Sequence, residues 1–132
     1  MATLACSYLT ESRIKVAKQN FYYVPPLKYL TLFSATHKTF SAYLFFIRGI
    51  LDLRESFPAS INRMDYLLAN FKAAGALEPE LARAYFFGGI VAPVTRQDKN
   101  KAIVFLEEAR LKRPTDWQLP FWIGLNYLEM GD

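Results

Sequence analysis

The chain has 132 residues, of which 52% are hydrophobic and 16% aromatic, and its formal net charge at pH 7 is +4. This length is about that of one domain, and the apolar content is enough to fill a sizeable core. The single cysteine, Cys6, excludes an internal disulfide bond,. Cys6 and the only histidine, His37, cannot supply the several ligands of a zinc site, and they lie far apart for a Cys–His nucleophile pair,. We therefore predict no catalytic activity, metal or cofactor.

Residues 1–38 form a basic and aromatic N-terminal segment. Met1–Leu9 is apolar but too short to cross a bilayer, which needs about 20 residues,. The basic residues Arg13, Lys15 and Lys18 follow it, as is typical of the end of a transmembrane helix whose earlier part has been removed,. We expect this segment to lie at a membrane; the alternative is a short helix or a frayed tail. Nucleic-acid binding is disfavoured, because the basic residues are spread rather than clustered.

A boundary lies at Asn20–Pro26. Pro25 and Pro26 force extended geometry on the preceding residue and end any helix that arrives from the N-terminus,. Three aromatic residues precede the two prolines. They indicate a segment held against an apolar partner, which is either the helical core or a membrane surface.

The next part of the chain is typical of two antiparallel helices. We predict helices over Thr39–Leu53 and Ile61–Ala76, with Ser60 as a candidate cap of the second helix,. Gly49 lies within the first helix, where a close crossing with another helix would require a small residue.

A second helix pair is predicted over Ala82–Ala92 and Lys99–Lys112, with Asp98 as the N-cap of its second helix,. Apolar residues lie along one face of this second helix, and charged residues lie along the opposite face. Glycine inside a helix costs about 1 kcal/mol relative to alanine. Gly88 and Gly89 therefore indicate that another helix packs closely against them.

The last predicted helix begins at Trp117 and is capped by Thr115 or Asp116,. It contains Gly124, which by the same argument indicates another close crossing. The helix is too apolar for the end of a stack, where a polar outer face is usual. We therefore expect that a further helix follows Asp132 in the full protein, or that another subunit supplies it, and that the N-terminus is truncated as well.

The pattern of small and aromatic residues resembles the tetratricopeptide repeat family over roughly residues 40–132. From residue 82 onward the resemblance is strong, because a unit recurs after about 34 residues. The residues that carry it are Tyr85, Gly88, Gly89, Ala102, Ala109, Pro114, Gly124 and Tyr127. The resemblance implies an all-α fold in which antiparallel helix pairs stack as a short solenoid. The implied divisions are an N-terminal segment, a degenerate helix pair, a complete repeat and the first helix of a further repeat: residues 1–38, 39–81, 82–116 and 117–132.

Two other runs, Tyr23–Ser34 and Ala42–Gly49, resemble a group of poorly characterised bacterial repeat proteins. In that group a single N-terminal transmembrane helix precedes the tetratricopeptide repeats. The resemblance implies association with the bacterial inner membrane. This chain departs from the group because it lacks the hydrophobic span, so a cytoplasmic location stays open as the alternative.

The family resemblance also implies a protein-binding groove, because the first helix of each stacked pair lines a concave surface. The positions that match are Tyr43, Phe46, Ile50, Arg83, Phe86, Ile90, Gln118, Phe121, Leu125 and Glu129. This set is mainly aromatic and aliphatic, which favours a hydrophobic helix or an extended apolar peptide as the ligand. Two alternatives stay open: these residues are core between repeats, or the chain's own Ile14–Leu32 covers them. A second candidate interface is the open end of the stack, formed by Trp117, Trp122, Tyr127 and Leu128.

Taken together, these features predict a non-catalytic protein-interaction scaffold or assembly subunit of a bacterial membrane-associated complex, with a protein partner. The alternative is a structural subunit whose open helical stack is completed by homo-oligomerisation through the C-terminal helix. A nucleic-acid-binding basic module is the least favoured interpretation, and we expect no nucleic-acid partner.

Overall fold

The computed structural model describes residues 22–131, except for the side chain of Phe33. Those residues form six helices and no strand, which confirms the all-helical prediction. The predictions made for Met1–Leu9, Cys6 and the basic residues up to Lys18 lie outside the described residues. The helices are α1, Leu27–Phe33; α2, Lys38–Asp52; α3, Arg63–Leu77; α4, Ala82–Phe86, which continues as a π-helical turn over Phe87–Val91; α5, Arg96–Lys112; and α6, Gln118–Met130.

Two helix starts differ from the predicted ones because different residues cap them. The side chain of Asn62, and not Ser60, accepts a hydrogen bond from the Asp65 amide at 3.0 Å and caps α3. Thr95 caps α5 and forms a reciprocal capping box with Asp98, whose carboxylate accepts the Thr95 amide at 3.1 Å,. The prediction of Asp98 as the N-cap was therefore wrong, and α5 begins three residues earlier than expected.

The hairpin of α2 and α3 is held together by a close crossing at Gly49. A Cβ atom on this glycine would lie 2.8 Å from the ring of Phe71, closer than real Cβ atoms come. Phe71 is fully buried in the main hydrophobic core, together with Phe46 of α2 and Leu67 of α3. The small residue predicted for this crossing is therefore required by the packing.

The π-helical turn packs between α3 and α5 through its two glycines. A Cβ atom on Gly88 would lie 2.7 Å from the Phe105 ring, and one on Gly89 would lie 2.6 Å from Leu106. These contacts confirm that Gly88 and Gly89 are sites of close helix packing. The π turn itself was not predicted. Its Gly89 carbonyl accepts a hydrogen bond at 2.9 Å from the buried side chain of Asn126, which attaches α6 to the turn.

The described part of the N-terminal segment packs on the helices. Leu30 of α1 forms a small core with Ala42 of α2 and with Ala73 and Leu77 of α3. Ahead of α1, the ring of Tyr22 packs against Phe57 and Tyr66 at centroid distances of 5.1 and 5.2 Å. Of the three aromatic residues ahead of the two prolines, Tyr22 therefore packs on the helical core, whereas Tyr23 is exposed and Phe21 lies outside the described residues.

The helices contact one another in chain order. The helix α2 packs on α3, α3 on α4, the π turn on α5, and α5 on α6. Further contacts join α1 to α3, α3 to α5 and to the π turn, and the π turn to α6. Contacts between aromatic rings connect α2, the π turn, α4 and α6, and these helices are here called the row.

Candidate protein-binding surface

Four aromatic rings run without a break across the row formed by α2, α4 and α6. The Phe46 ring of α2 lies 5.7 Å from that of Phe87, which lies 5.7 Å from Phe86, and Phe86 lies 5.6 Å from the indole of Trp122 in α6. Edge-on and tilted pairs at these distances attract each other beyond the burial of their surface. This aromatic row therefore fixes the three helices relative to one another.

The ends of the aromatic row are core residues, although both were predicted to lie at an interface. Phe46 is only 7% exposed and Trp122 only 8%, whereas Phe86 at the centre is 37% exposed. Most of the row is thus buried, and Phe86 is the member whose side chain reaches the surface. The burial of Phe46 agrees with the alternative prediction, in which the groove positions are core residues between helix pairs.

The other predicted groove residues lie on the same three helices at the surface or just below it. Those with exposed side chains are Tyr43, Arg83, Phe121 and Glu129, and those that are half buried are Ile50, Ile90, Gln118 and Leu125. The described part of the N-terminal segment packs against α3 and against the buried Ala42 of α2, and Tyr43 stays exposed.

A depression of about 570 Å³ opens beside Phe87, where the end of α2 meets the end of the π turn. Its lining is mostly aliphatic, with two arginines, and consists of Ile50, Leu51, Leu53, Arg54, Arg63, Phe87 and Val91. Only Ile50 of this set was among the predicted groove residues. The sequence signal for the other lining residues is that Leu51 and Val91 are apolar and lie near helix ends. The packing brings these two helix ends together.

The wall of the depression is built by Arg63. Its guanidinium donates to the Leu53 carbonyl at 2.7 Å and to the Ala92 carbonyl at 3.0 Å. Leu53 and Ala92 are the C-caps of α2 and of the π turn. A cation at these two negative helix ends is favourable, and the planar fork reaches both carbonyls at once. Arg63 therefore holds the two sides of the depression at a fixed separation.

A polar cluster supports α2 from the side of α3. The Tyr66 hydroxyl donates to the Asp52 carboxylate at 2.7 Å, and both residues are buried. Burial, and then the hydrogen bond to Asp52, raise the pKa of Tyr66 to about 12. Arg48 lies over the Tyr66 ring at 5.3 Å and donates to the Tyr23 carbonyl at 3.1 Å. One basic residue of the N-terminal half is thus used in packing the segment ahead of α1.

The predicted open-end interface divides between surface and core. Trp117, Tyr127 and Leu128 are exposed, whereas Trp122 faces Phe86 in the aromatic row. Gly124 also differs from expectation, because a Cβ atom placed on it would meet nothing within 4 Å. Nothing in the described fold therefore requires a glycine at this position.

An apolar face that sequence reasoning did not single out lies on α2. Phe40, Leu44, Ile47 and Leu51 are exposed and follow one another at intervals of four, three and four residues. This spacing places them on one side of the helix. The apolar residues of this helix point to both sides, so the periodicity does not tell which side meets the core.

Neither a metal-binding cluster nor a membrane-spanning helix is present among the described residues. Among residues 22–131, no three His, Cys, Asp or Glu side chains come together in a way that fits a metal ion. None of the helices formed by those residues combines the length and the hydropathy needed to cross a bilayer. No protein-family model, curated protein or solved structure matches the chain.

Proposed function

We propose that this chain is a non-catalytic protein-interaction scaffold. In this proposal its helix pairs stack in the manner of tetratricopeptide repeats, and the row of α2, α4 and α6 holds an apolar segment of another protein. The observation that carries the proposal is the aromatic row, which joins three successive first helices and brings Phe86 to the surface.

The pattern of contacts between helices supports a repeat-like arrangement. From α2 onward each helix packs on the next, with the π turn making the contact to α5; α3 also contacts α5, and ring contacts join α2 to the π turn and α4 to α6. Neighbour-to-neighbour packing of this kind is the basis of helical solenoids. Gly88 and Gly89, which lie at close crossings, are among the residues that carried the family resemblance.

The chemistry of the surface favours an apolar ligand with acidic flanks. Phe86 and Tyr43 offer aromatic contacts, and the aliphatic depression can take one further anchor side chain,. Arg54 lines the depression and Arg83 is exposed on α4. An amphipathic helix with leucine anchors and glutamates beside them satisfies both features.

Association with a bacterial membrane complex is a separate proposal. It is supported by the resemblance of Tyr23–Ser34 and Ala42–Gly49 to membrane-anchored repeat proteins and by the basic residues that precede α1. Those residues, up to Lys18, lie outside the described part of the chain.

The binding proposal is tested with a synthetic three-heptad peptide that has Leu at positions a and d and Glu beside them. A scrambled peptide of the same composition is the control ligand, and fluorescence anisotropy gives the dissociation constant. We expect Tyr43→Glu and Val91→Glu to weaken binding at least about tenfold, or about 1.4 kcal/mol. Val104→Glu, at an exposed position of α5, should leave it unchanged. Equal binding of the scrambled peptide, or unchanged binding by Tyr43→Glu, would overturn the proposal.

A further inference from the structure

The first described residue, Tyr22, lies at the end of the molecule where the depression beside Phe87 opens. Its ring packs on Phe57 and Tyr66 at centroid distances of 5.1 and 5.2 Å. Phe57 belongs to the connection between α2 and α3, and Tyr66 follows Arg63, the wall of the depression, within the first turn of α3. The chain therefore enters the described fold within about one helical turn of the depression.

The direction of the chain ahead of α1 leads to this same end. Leu27 packs on the small core that contains Leu77, near the C-terminal end of α3, whereas Tyr22 packs on Tyr66, near its N-terminal end. Five residues of extended chain and eleven residues of helix both cover roughly 16 Å. The stretch from Leu27 back to Tyr22 is therefore extended along α3, and it reaches Tyr22 heading for the end of the α2–α3 hairpin where the depression lies.

The depression suits an apolar occupant. Its volume is about 570 Å³, and most of the residues that line it are apolar. Two of these, Leu51 and Val91, are 68% and 42% exposed, so an apolar side chain placed between them would remove both from water,. Arg63 is already hydrogen-bonded to two carbonyls, which leaves Arg54 as the exposed cation at the rim.

The chain has an apolar segment of its own within reach of this site. Met1–Leu9 carries no charged side chain and includes Leu4 and Leu9. The twelve residues Thr10–Phe21 join it to Tyr22. When fully extended, a connection of this length spans at most about 40 Å, which is far more than the distance from Tyr22 to the depression requires. A segment on such a short tether has a local concentration on the order of millimolar, so weak apolar contacts are enough to hold it.

We propose that Met1–Leu9 docks in the depression of its own chain and occupies it until an outside ligand displaces it. The segment binds through apolar side chains alone, because it has no acidic residue to meet Arg54. An outside ligand with glutamates beside its leucines gains from that arginine and can therefore compete. The tethered occupant lowers the apparent affinity for such a ligand in proportion to the fraction of molecules whose depression is free. This autoinhibition rests on the proposed function, whereas the docking itself does not.

The test is disulfide trapping, which the single native cysteine makes specific. Cys6 lies in the middle of Met1–Leu9, and Val91→Cys places a second thiol in the depression. Oxidised glutathione takes up the two electrons and is reduced to two glutathione molecules as the two protein thiols join. The matched control is Ser60→Cys, at an exposed position between Phe57 and Arg63 that is close to Tyr22 but outside the depression.

Mass spectrometry of the unreduced full chain, at low protein concentration, measures the rate of disulfide formation. We expect the disulfide within one chain to form at least about tenfold faster in Val91→Cys than in Ser60→Cys, because docking raises the local concentration of Cys6 at one position only. Adding Leu4→Glu should remove this advantage, whereas Gln19→Glu, which brings the same charge into the tether, should not. Equal rates for the two cysteine variants, or a disulfide that joins two chains, would overturn the docking.

The leucine-heptad peptide tests the regulatory consequence separately. Leu4→Glu alone should tighten peptide binding at least about threefold, because it frees the depression, and Gln19→Glu should leave it unchanged. Trapping of Cys6 at Val91→Cys together with unchanged peptide affinity of Leu4→Glu would contradict autoinhibition. Trapping without any peptide binding would refute the proposed function and leave the docking intact, whereas peptide binding without preferential trapping would refute the docking alone.

Discussion

Gly89 and Gly124 differ in how closely the fold packs against them, and substitution by alanine shows this difference. At Gly89 a Cβ atom would lie 2.6 Å from Leu106, which is fully buried. We expect Gly89→Ala to lower the free energy of unfolding by about 1 to 3 kcal/mol, because the core must shift to admit the methyl group. Gly124→Ala should raise it by up to about 1 kcal/mol, since the space is open and alanine is the better helix former,. Urea unfolding of the two variants measures both effects. Equal destabilisation would contradict this distinction.

The buried hydroxyl of Tyr66 makes the stability of the fold depend on alkaline pH. Burial and the hydrogen bond to Asp52 raise its pKa to about 12, against about 10 in the unfolded chain,. Below pH 10 both states keep the proton, so the contribution is fully present. Between pH 10 and 12 the unfolded chain ionises first, and about 2 to 3 kcal/mol of stability is lost.

The check is a comparison of Tyr66→Phe with the wild type at each pH. Phenylalanine cannot ionise, so we expect the variant's unfolding free energy to fall less steeply between pH 10 and 12. All other ionisable groups are the same in both proteins, so the difference between the two curves isolates Tyr66. Parallel curves would show that the hydroxyl is not protected in the fold.

At the scale of the helices, Arg63 determines how the end of α2 meets the end of the π turn. Arg63→Lys keeps the charge but cannot reach the carbonyls of both Leu53 and Ala92 with a planar fork,. We expect a loss of about 1 to 3 kcal/mol in the free energy of unfolding, as for a charged hydrogen bond removed from a partly buried carbonyl. Arg54→Lys, at a neighbouring exposed arginine, is the control and should have little effect. If both variants are equally stable, Arg63 does not hold the depression in shape.

The helices themselves could be predicted well because local signals mark them. α2 was expected over Thr39–Leu53 and occupies Lys38–Asp52, since its apolar run and the following breakers define it. The crossings at Gly49 and Gly89 could be predicted because glycine is costly in a helix and implies a close neighbour. The π turn could not, because it depends on how α6 and Asn126 meet the Gly89 carbonyl, a contact between distant parts of the chain.

The candidate surface was predicted less completely than the fold, for a reason specific to α2 and α6. Both helices are apolar on two sides, so the hydrophobic period does not reveal which side is buried. Trp117 and Trp122 illustrate the difficulty. They are the same residue type in one helix, yet the first is exposed and the second packs on Phe86. Only the packing of α6 on the π turn and α5 distinguishes them.

For the molecule as a whole, we propose that α2, α4 and α6 together form one protein-binding surface. Burial of Phe46 and Trp122 holds the aromatic row in place, which would lower the cost of ordering the surface when a ligand binds,. In this proposal the exposed positions beside the row determine which ligand fits. A ligand that contacts all three helices at once should protect backbone amides in each of them.

Hydrogen–deuterium exchange, measured with and without the leucine-heptad peptide, shows directly which backbone amides the ligand protects. We predict slower exchange in α2, in α4 with the π turn, and in α6, with no change in α3 or α5. The scrambled peptide should slow exchange nowhere. Protection confined to α3 and α5, or to a single one of the three first helices, would contradict the claim that they act as one surface.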